Sequence, residues 1–168
     1  MKRELTAIWL GTALAALAQV FLPAWPWLGG AKPPLTAVCA VYWALNASSP
    51  GRMWQGVFWA AVLHDAFTPG RPGAALLAYP IAVLPALRAR FDVFAEKPAT
   101  QVLFGGIGAG AAAAGIGLFY ALTRQRSFFF DASAWLRIAG EAVLGALTLP
   151  LIAPLLDAWR RQSRRSRA

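Results

Sequence analysis

Apolar residues along the chain fall into six runs closed by charges, glycines or prolines, and long stretches lack the polar face that a soluble helix presents to water. A helix needs about 20 residues to cross the hydrocarbon layer, although shorter cores are met by interfacial residues or local thinning. The first run, 5–22, follows Lys2, Arg3 and Glu4 and ends at Pro23-Ala24-Trp25-Pro26-Trp27, where aromatics and prolines suit a headgroup boundary. The second, 34–45, is short, and Tyr42-Trp43 near its end reads as an interfacial aromatic belt. The third, 53–67, follows a turn-forming stretch from Asn46 to Arg52 and stops at Thr68-Pro69-Gly70-Arg71-Pro72-Gly73. The fourth, 74–87, carries Pro80 and Pro85, which remove backbone donors and predict a bend. In the fifth, 102–122, Gly105, Gly106, Gly108, Gly110, Gly115 and Gly117 leave one side nearly bare, so another helix can approach closely. The sixth, 135–156, is softly broken by Pro150 and Pro154, and 157–168 reads as a basic tail.

This pattern predicts an all-α, polytopic membrane helix bundle: one membrane domain, 1–156, of about six transmembrane helices joined by short loops. Composition agrees, with 58% hydrophobic and 14% charged residues against about 45–50% and about 25% in soluble domains. Six crossings place both termini on one side. Lys and Arg decide which, because eleven of the sixteen lie in segments that share a face with the termini and five, namely Lys32, Arg71, Arg124, Arg126 and Arg137, lie on the other. The termini are therefore expected in the cytoplasm. The net charge of +9 and pI near 11.1 accordingly read as topology signals and contacts to anionic headgroups, rather than as a nucleic-acid surface. A rival reading takes Lys2-Arg3, the apolar stretch and Ala16-Leu17-Ala18 before Gln19 as a cleavable signal peptide, leaving five crossings.

Ionisable groups inside apolar runs are costly and are functional candidates by default. Here they are His64 and Asp65 in the third run and Glu141 in the sixth, all near the predicted outer face. One reading makes the acids a proton or cation site, or polar contacts to another helix. The other makes them local fasteners that pair with Arg71 or Arg137 or cap backbone groups. His64 beside Asp65 has no second His, Cys or spaced carboxylate to complete a metal site, so no metal or other cofactor is expected. Cys39, the sole cysteine, reads as a small buried hydrophobe. Gly106-Ile107-Gly108-Ala109-Gly110-Ala111 imitates a dinucleotide-binding fingerprint, but it lies inside a long apolar helix with no strand before it, so packing by Gly106 and Gly110 is the better reading. Asn46-Ala47-Ser48 fits a glycosylation pattern yet reads as turn chemistry in a cytoplasmic loop. No hydrolase or transferase signature emerges, and the loops leave no room for a catalytic domain; the chain is expected not to be an enzyme.

Lys32-Pro33-Pro34-Leu35, then Tyr42-Trp43-Ala44-Leu45, Pro50, Gly56, Asp65 and Gly73 occur in an order that resembles the bacterial rod shape-determining MreD family. Leu87-Arg88-Ala89-Arg90-Phe91 to Phe94 is similar to that family's basic-aromatic loop after the fourth span. The resemblance is best over the first four runs. It departs in a longer loop after Leu45 and in His64 beside the acid. It implies a non-enzymatic inner-membrane component of the cell-elongation machinery that binds MreC and, through it, joins MreB, RodA and penicillin-binding protein 2 in supporting side-wall peptidoglycan synthesis. Tyr42, Trp43, His64, Asp65, Gly73, Gly106, Gly110 and Glu141 are then candidates for structural or partner contacts, and Arg88, Arg90, Arg160 and Arg161 for contacts with lipid or cytoplasmic filaments. The alternative is a small transporter or the substrate-binding membrane subunit of a vitamin uptake system, suggested by the short, Gly- and Pro-interrupted runs and the acids near the outer face.

Overall fold

A computed structural model describes residues 2–69, 72–91, 95, 97–124 and 131–165. Among them the chain is all-helical: α1 (Lys2–Phe21), α2 (Leu35–Asn46), α3 (Pro50–Phe67), α4 (Ala74–Ala82), α5 (Leu84–Ala89), α6 (Pro98–Arg124) and α7 (Ala132–Arg165). A single 3-10 turn, Pro26–Leu28, follows α1 and is closed by Gly29 and Gly30 at φ 64° and 78°. Helix starts follow local chemistry. Pro50 and Pro98 occupy first helical positions, where a missing N–H costs no hydrogen bond. Asp131 Oδ1 caps α7 by accepting from Ser133 N at 2.9 Å.

The fourth predicted run is two helices. Val83 separates α4 from α5, and Val83 N to Tyr79 O at 3.1 Å and Leu87 N to Val83 O at 3.0 Å carry the backbone across the break. Pro85 has no N–H to give the Ile81 carbonyl one turn back, which accepts from Val83 N at the break instead. At the other end of the chain the structure departs from the predicted boundary, since α7 runs past Leu156 to Arg165, with Pro150 and Pro154 inside it. The segment read as a tail thus begins as helix.

Successive helices alternate in direction, α4 and α5 running on together as one leg. Gln19 at the end of α1 meets Thr36 at the start of α2, while Glu4 and Trp9 of α1 meet Arg52 and Trp59 of α3 in parallel. Gly105 of α6 lies against Gly145 of α7, and Gly110 against Ala142, so these two run antiparallel. Through such pairs, one end of the bundle collects the starts of α1, α3 and α6 and the ends of α2, α5 and α7; the other end collects the ends of α1, α3 and α6 and the starts of α2, α4 and α7.

α2 is the central helix. It touches α1, α3, α5, α6 and α7, and every residue from Thr36 to Leu45 is buried. A helix apolar all round is stable only when surrounded, and here its surroundings are protein. That placement corrects the reading of Tyr42-Trp43 as an interfacial belt: both are core residues, about 1% and 0% exposed. Each polar tip finds a partner, Tyr42 OH donating to Asp157 Oδ1 at 2.6 Å and Trp43 Nε1 to the buried Thr12 Oγ1 at 3.1 Å. α1 supplies Ile8, Thr12 and Ala16 to the core, which cleavage before Gln19 would remove.

The outer surface is apolar. Phe21, Ile81, Leu122, Leu151 and Leu155 are each more than 65% exposed, and α1, α3, α4, α6 and α7 all carry exposed large hydrophobics. Soluble monomers rarely expose more than a few hundred Å2 of contiguous apolar surface. Three helices are long and apolar enough to cross a membrane, over Glu4–Phe21, Pro98–Thr123 and Ala132–Arg160; Leu35–Asn46 and Ala74–Ala89 are shorter apolar helices.

Candidate functional site

The end of the bundle where α1 and α3 finish and α2, α4 and α7 begin holds a polar cluster in a largely apolar interior. Thr36, in the first turn of α2, is its hub. Gln19 Oε1 accepts from Thr36 N at 2.9 Å and from Thr36 Oγ1 at 3.1 Å, so a side chain of α1 satisfies a backbone N–H that the helix start leaves without an intrahelical partner. Thr36 Oγ1 lies 2.8 Å from Tyr79 OH of α4 and 3.1 Å from His64 Nδ1 of α3, and the Tyr79 hydroxyl lies 2.9 Å from the same ring nitrogen. Four helices thus meet through one set of hydrogen bonds. Among the described residues no buried side-chain N or O atom lacks a partner.

A cavity of about 260 Å3 opens beside this cluster, lined by Gln19, Lys32, Thr36, His64, Arg137 and Glu141 with apolar neighbours including Ala16, Leu63 and Phe67. Arg137 Nε donates to Glu141 Oε1 at 2.9 Å, one turn apart on α7. Glu141 itself is largely sheltered, its side chain 14% exposed against 57% for Arg137.

Asp65 turns the other way from its neighbour His64. Its Oδ2 accepts from Gly73 N at 2.8 Å and its Oδ1 from Ala75 N at 3.1 Å. The carboxylate therefore caps α4 from outside that helix, where the helix dipole also favours a negative charge. Gly73, the residue before α4, sits at φ 97°, a left-handed conformation that side chains rarely adopt. His64, Asp65 and Glu141 thus share one end of the bundle but make three different sets of contacts.

Gly105, Gly106, Gly108, Gly110 and Gly115 of α6 are spent inside the bundle. A β-carbon at Gly106 would meet Ala142 O at 3.3 Å, and one at Gly110 would meet Ala142 Cβ at 3.0 Å. Gly108 packs on Val41 of α2 and Gly115 on Ala78 of α4. Small residues let these four backbones approach.

At the opposite end, two of the arginines assigned to outside contacts turn inward. Arg90 Nη2 donates to Ala47 O at 2.8 Å and Arg160 Nη1 to Asn46 O at 2.6 Å, so both hold carbonyls at the C-terminus of α2. Arg88 is exposed; the Arg161 side chain, Arg71 and Phe94 lie outside the described residues. Nearby, Glu4 binds Arg52 and accepts from Ser48 N at 3.1 Å and Ser48 Oγ at 2.8 Å, joining α1 to the start of α3.

Sequence reasoning missed Gln19, Thr36 and Tyr79. The available signal was depth: Gln19 is three residues from the end of its apolar run and Thr36 two from the start of the next, which places two polar side chains at the same level. No group of three or more His, Cys, Asp and Glu able to hold a metal occurs among the described residues. Comparison of the chain with protein-family models, with curated proteins and with solved structures gives no match.

Proposed function

We propose that the chain is a non-enzymatic component of the bacterial cell-elongation machinery, of the MreD type, embedded in the inner membrane. All six helical segments cross, with α4 and α5 together forming the fourth, and α1 stays attached. Both termini lie in the cytoplasm, and the cavity opens outward. Helix α2, at 12 residues about 18 Å long, is short for a crossing. Protein rather than lipid surrounds it, so it need not match the full hydrocarbon thickness.

The observation that carries this reading is where the resembling residues sit. Pro34 opens the central helix, Tyr42 and Trp43 anchor its far end in the core, Gly56 packs on Trp43, and Asp65 caps the helix that Gly73 introduces. All of them are joints that set helix against helix, as a membrane scaffold requires. On this reading MreC binds the lipid-facing surfaces of the outer helices, since the glycine faces of α6 are already occupied by α7, α2 and α4.

Depletion in the native rod-shaped cell is expected to round or swell it, and purification of the tagged chain from native membranes is expected to bring down MreC. Normal shape after clean depletion, with no MreC recovered, would overturn the assignment. The polar cavity favours a second reading, a solute-binding or transport subunit, for which depletion abolishes uptake of one nutrient and leaves shape intact.

A further inference from the structure

The hydrogen-bond cluster beside the cavity determines where its protons lie. Gln19 Oε1 has no proton, so the 3.1 Å contact with Thr36 Oγ1 uses the threonine proton. That leaves the Tyr79 proton for the 2.8 Å contact between Tyr79 OH and Thr36 Oγ1. The contacts of His64 Nδ1 with Tyr79 OH at 2.9 Å and Thr36 Oγ1 at 3.1 Å then require a proton on Nδ1. The chain of donors runs from His64 through Tyr79 and Thr36 to Gln19. In the neutral ring, Nε2 therefore carries a lone pair.

Two groups are left over. Gln19 uses its oxygen twice, which leaves its NH2 with two donors, and His64 Nε2 is an acceptor. Neither has a protein partner among the described residues, yet no buried unpartnered atom exists there, so both are open to the cavity their side chains line. Charge narrows the ligand further. Arg137 is paired with Glu141, while Lys32 is exposed and has no partner among the described residues, so one cation remains free at the lining.

We infer that this cavity binds a small monocarboxylate bearing a hydrogen-bond donor next to the carboxylate, the group shared by α-hydroxy and α-amino acids. Lys32 and the Gln19 NH2 take the carboxylate, and His64 Nε2 takes the hydroxyl or ammonium proton. Among the described residues Lys32 is the lining cation without an acidic partner, which suits a single carboxylate. The 260 Å3 volume lies just under the range of about 300–1,000 Å3 for drug-sized ligands and leaves room for a side chain beyond three carbons. The inference stands on the cavity and does not depend on the elongation role.

His64 is the sole histidine, so its imidazole can be observed without assignment. The full chain, labelled with 15N-histidine in lipid nanodiscs, is titrated with L-lactate, L-alanine and propionate, which share a three-carbon skeleton and differ in the donor. Before ligand, Nδ1 is expected to be protonated and Nε2 not, at neutral pH. Lactate, alanine or both should then shift the Nε2 resonance saturably, telling the hydroxy-acid source from the amino-acid source, and propionate should bind about tenfold more weakly, the worth of one hydrogen bond. Lys32→Met, at an exposed position, should weaken binding about tenfold or more through the lost charge-assisted contact while leaving the ligand-free spectrum unchanged. A proton on Nε2, equal binding of propionate, unchanged affinity in Lys32→Met, or no saturable shift up to about 0.1 M of lactate and alanine would each overturn the inference. Cell shape does not enter these readouts, so their failure is distinguishable from failure of the elongation role.

Discussion

A β-carbon at Gly105 would lie 2.5 Å from the carbonyl oxygen of Gly145 and 2.8 Å from Cβ of Leu149. Backbone cannot yield as the end of a flexible side chain can, so α6 and α7 would have to separate. Gly105→Ala is therefore expected to destabilise the chain by about 1–3 kcal/mol, whereas Gly51→Ala, in the first turn of α3 with nothing within 4 Å, should be neutral or stabilising by up to about 1 kcal/mol. Thermal unfolding in detergent micelles checks both, and equal effects would refute the packing argument. That such glycines serve close approach was legible in the sequence, because a run of glycines in an apolar helix has few other uses. Which helix approaches was not, since Gly105, Gly108 and Gly115 face three different partners. Trp43 was misread for a related reason: an aromatic near the end of an apolar run suits an interface equally well, and only the Thr12 hydroxyl opposite, from another helix, distinguishes the two.

Helix α2 is held at its C-terminus by Arg90 and Arg160, from α5–α6 and α7, which donate to consecutive carbonyls at Asn46 and Ala47. Those carbonyls lack intrahelical donors and carry the negative end of the helix dipole, so each guanidinium contributes both a hydrogen bond and a favourable charge. Arg90→Met and Arg160→Met are each expected to lower stability by about 1–2 kcal/mol, while Arg88→Met, at an exposed position, stays within about 0.5 kcal/mol. Unfolding midpoints of the three variants, taken side by side in micelles, distinguish internal clamps from surface charges. At this scale the helices were readable from the spacing of apolar runs and their Pro and Gly boundaries. The extension of α7 to Arg165 was not, because Asp157 and Arg160 look like the start of a solvated tail until Tyr42 and Asn46 supply their partners. The same holds for the cluster around His64: Gln19, Thr36 and Tyr79 do not stand out in their own runs, and they meet His64 only when alternating helix directions bring the four to one level.

Orientation is a property of the whole molecule, and the asymmetry of its lysines and arginines bears on it more than any contact does. The chain offers a direct test, because its single cysteine, Cys39, lies fully buried in the central helix and should not react with a thiol reagent while the bundle is folded. Added cysteines then report alone. Ala99 and Ala132 are exposed positions at the start of α6 and the start of α7, so nearly all of α6, a helix long and apolar enough to cross a membrane, lies between them. In intact spheroplasts a membrane-impermeant maleimide should label Ala132→Cys and should reach Ala99→Cys only after lysis. The reverse pattern would invert the proposed topology, move the cavity to the cytoplasmic face and detach the basic end from the filament side. Labelling of both from outside would mean that α6 does not cross. Either result would remove the scaffold geometry on which the elongation reading depends, while leaving the polar cluster and its cavity in place within the fold.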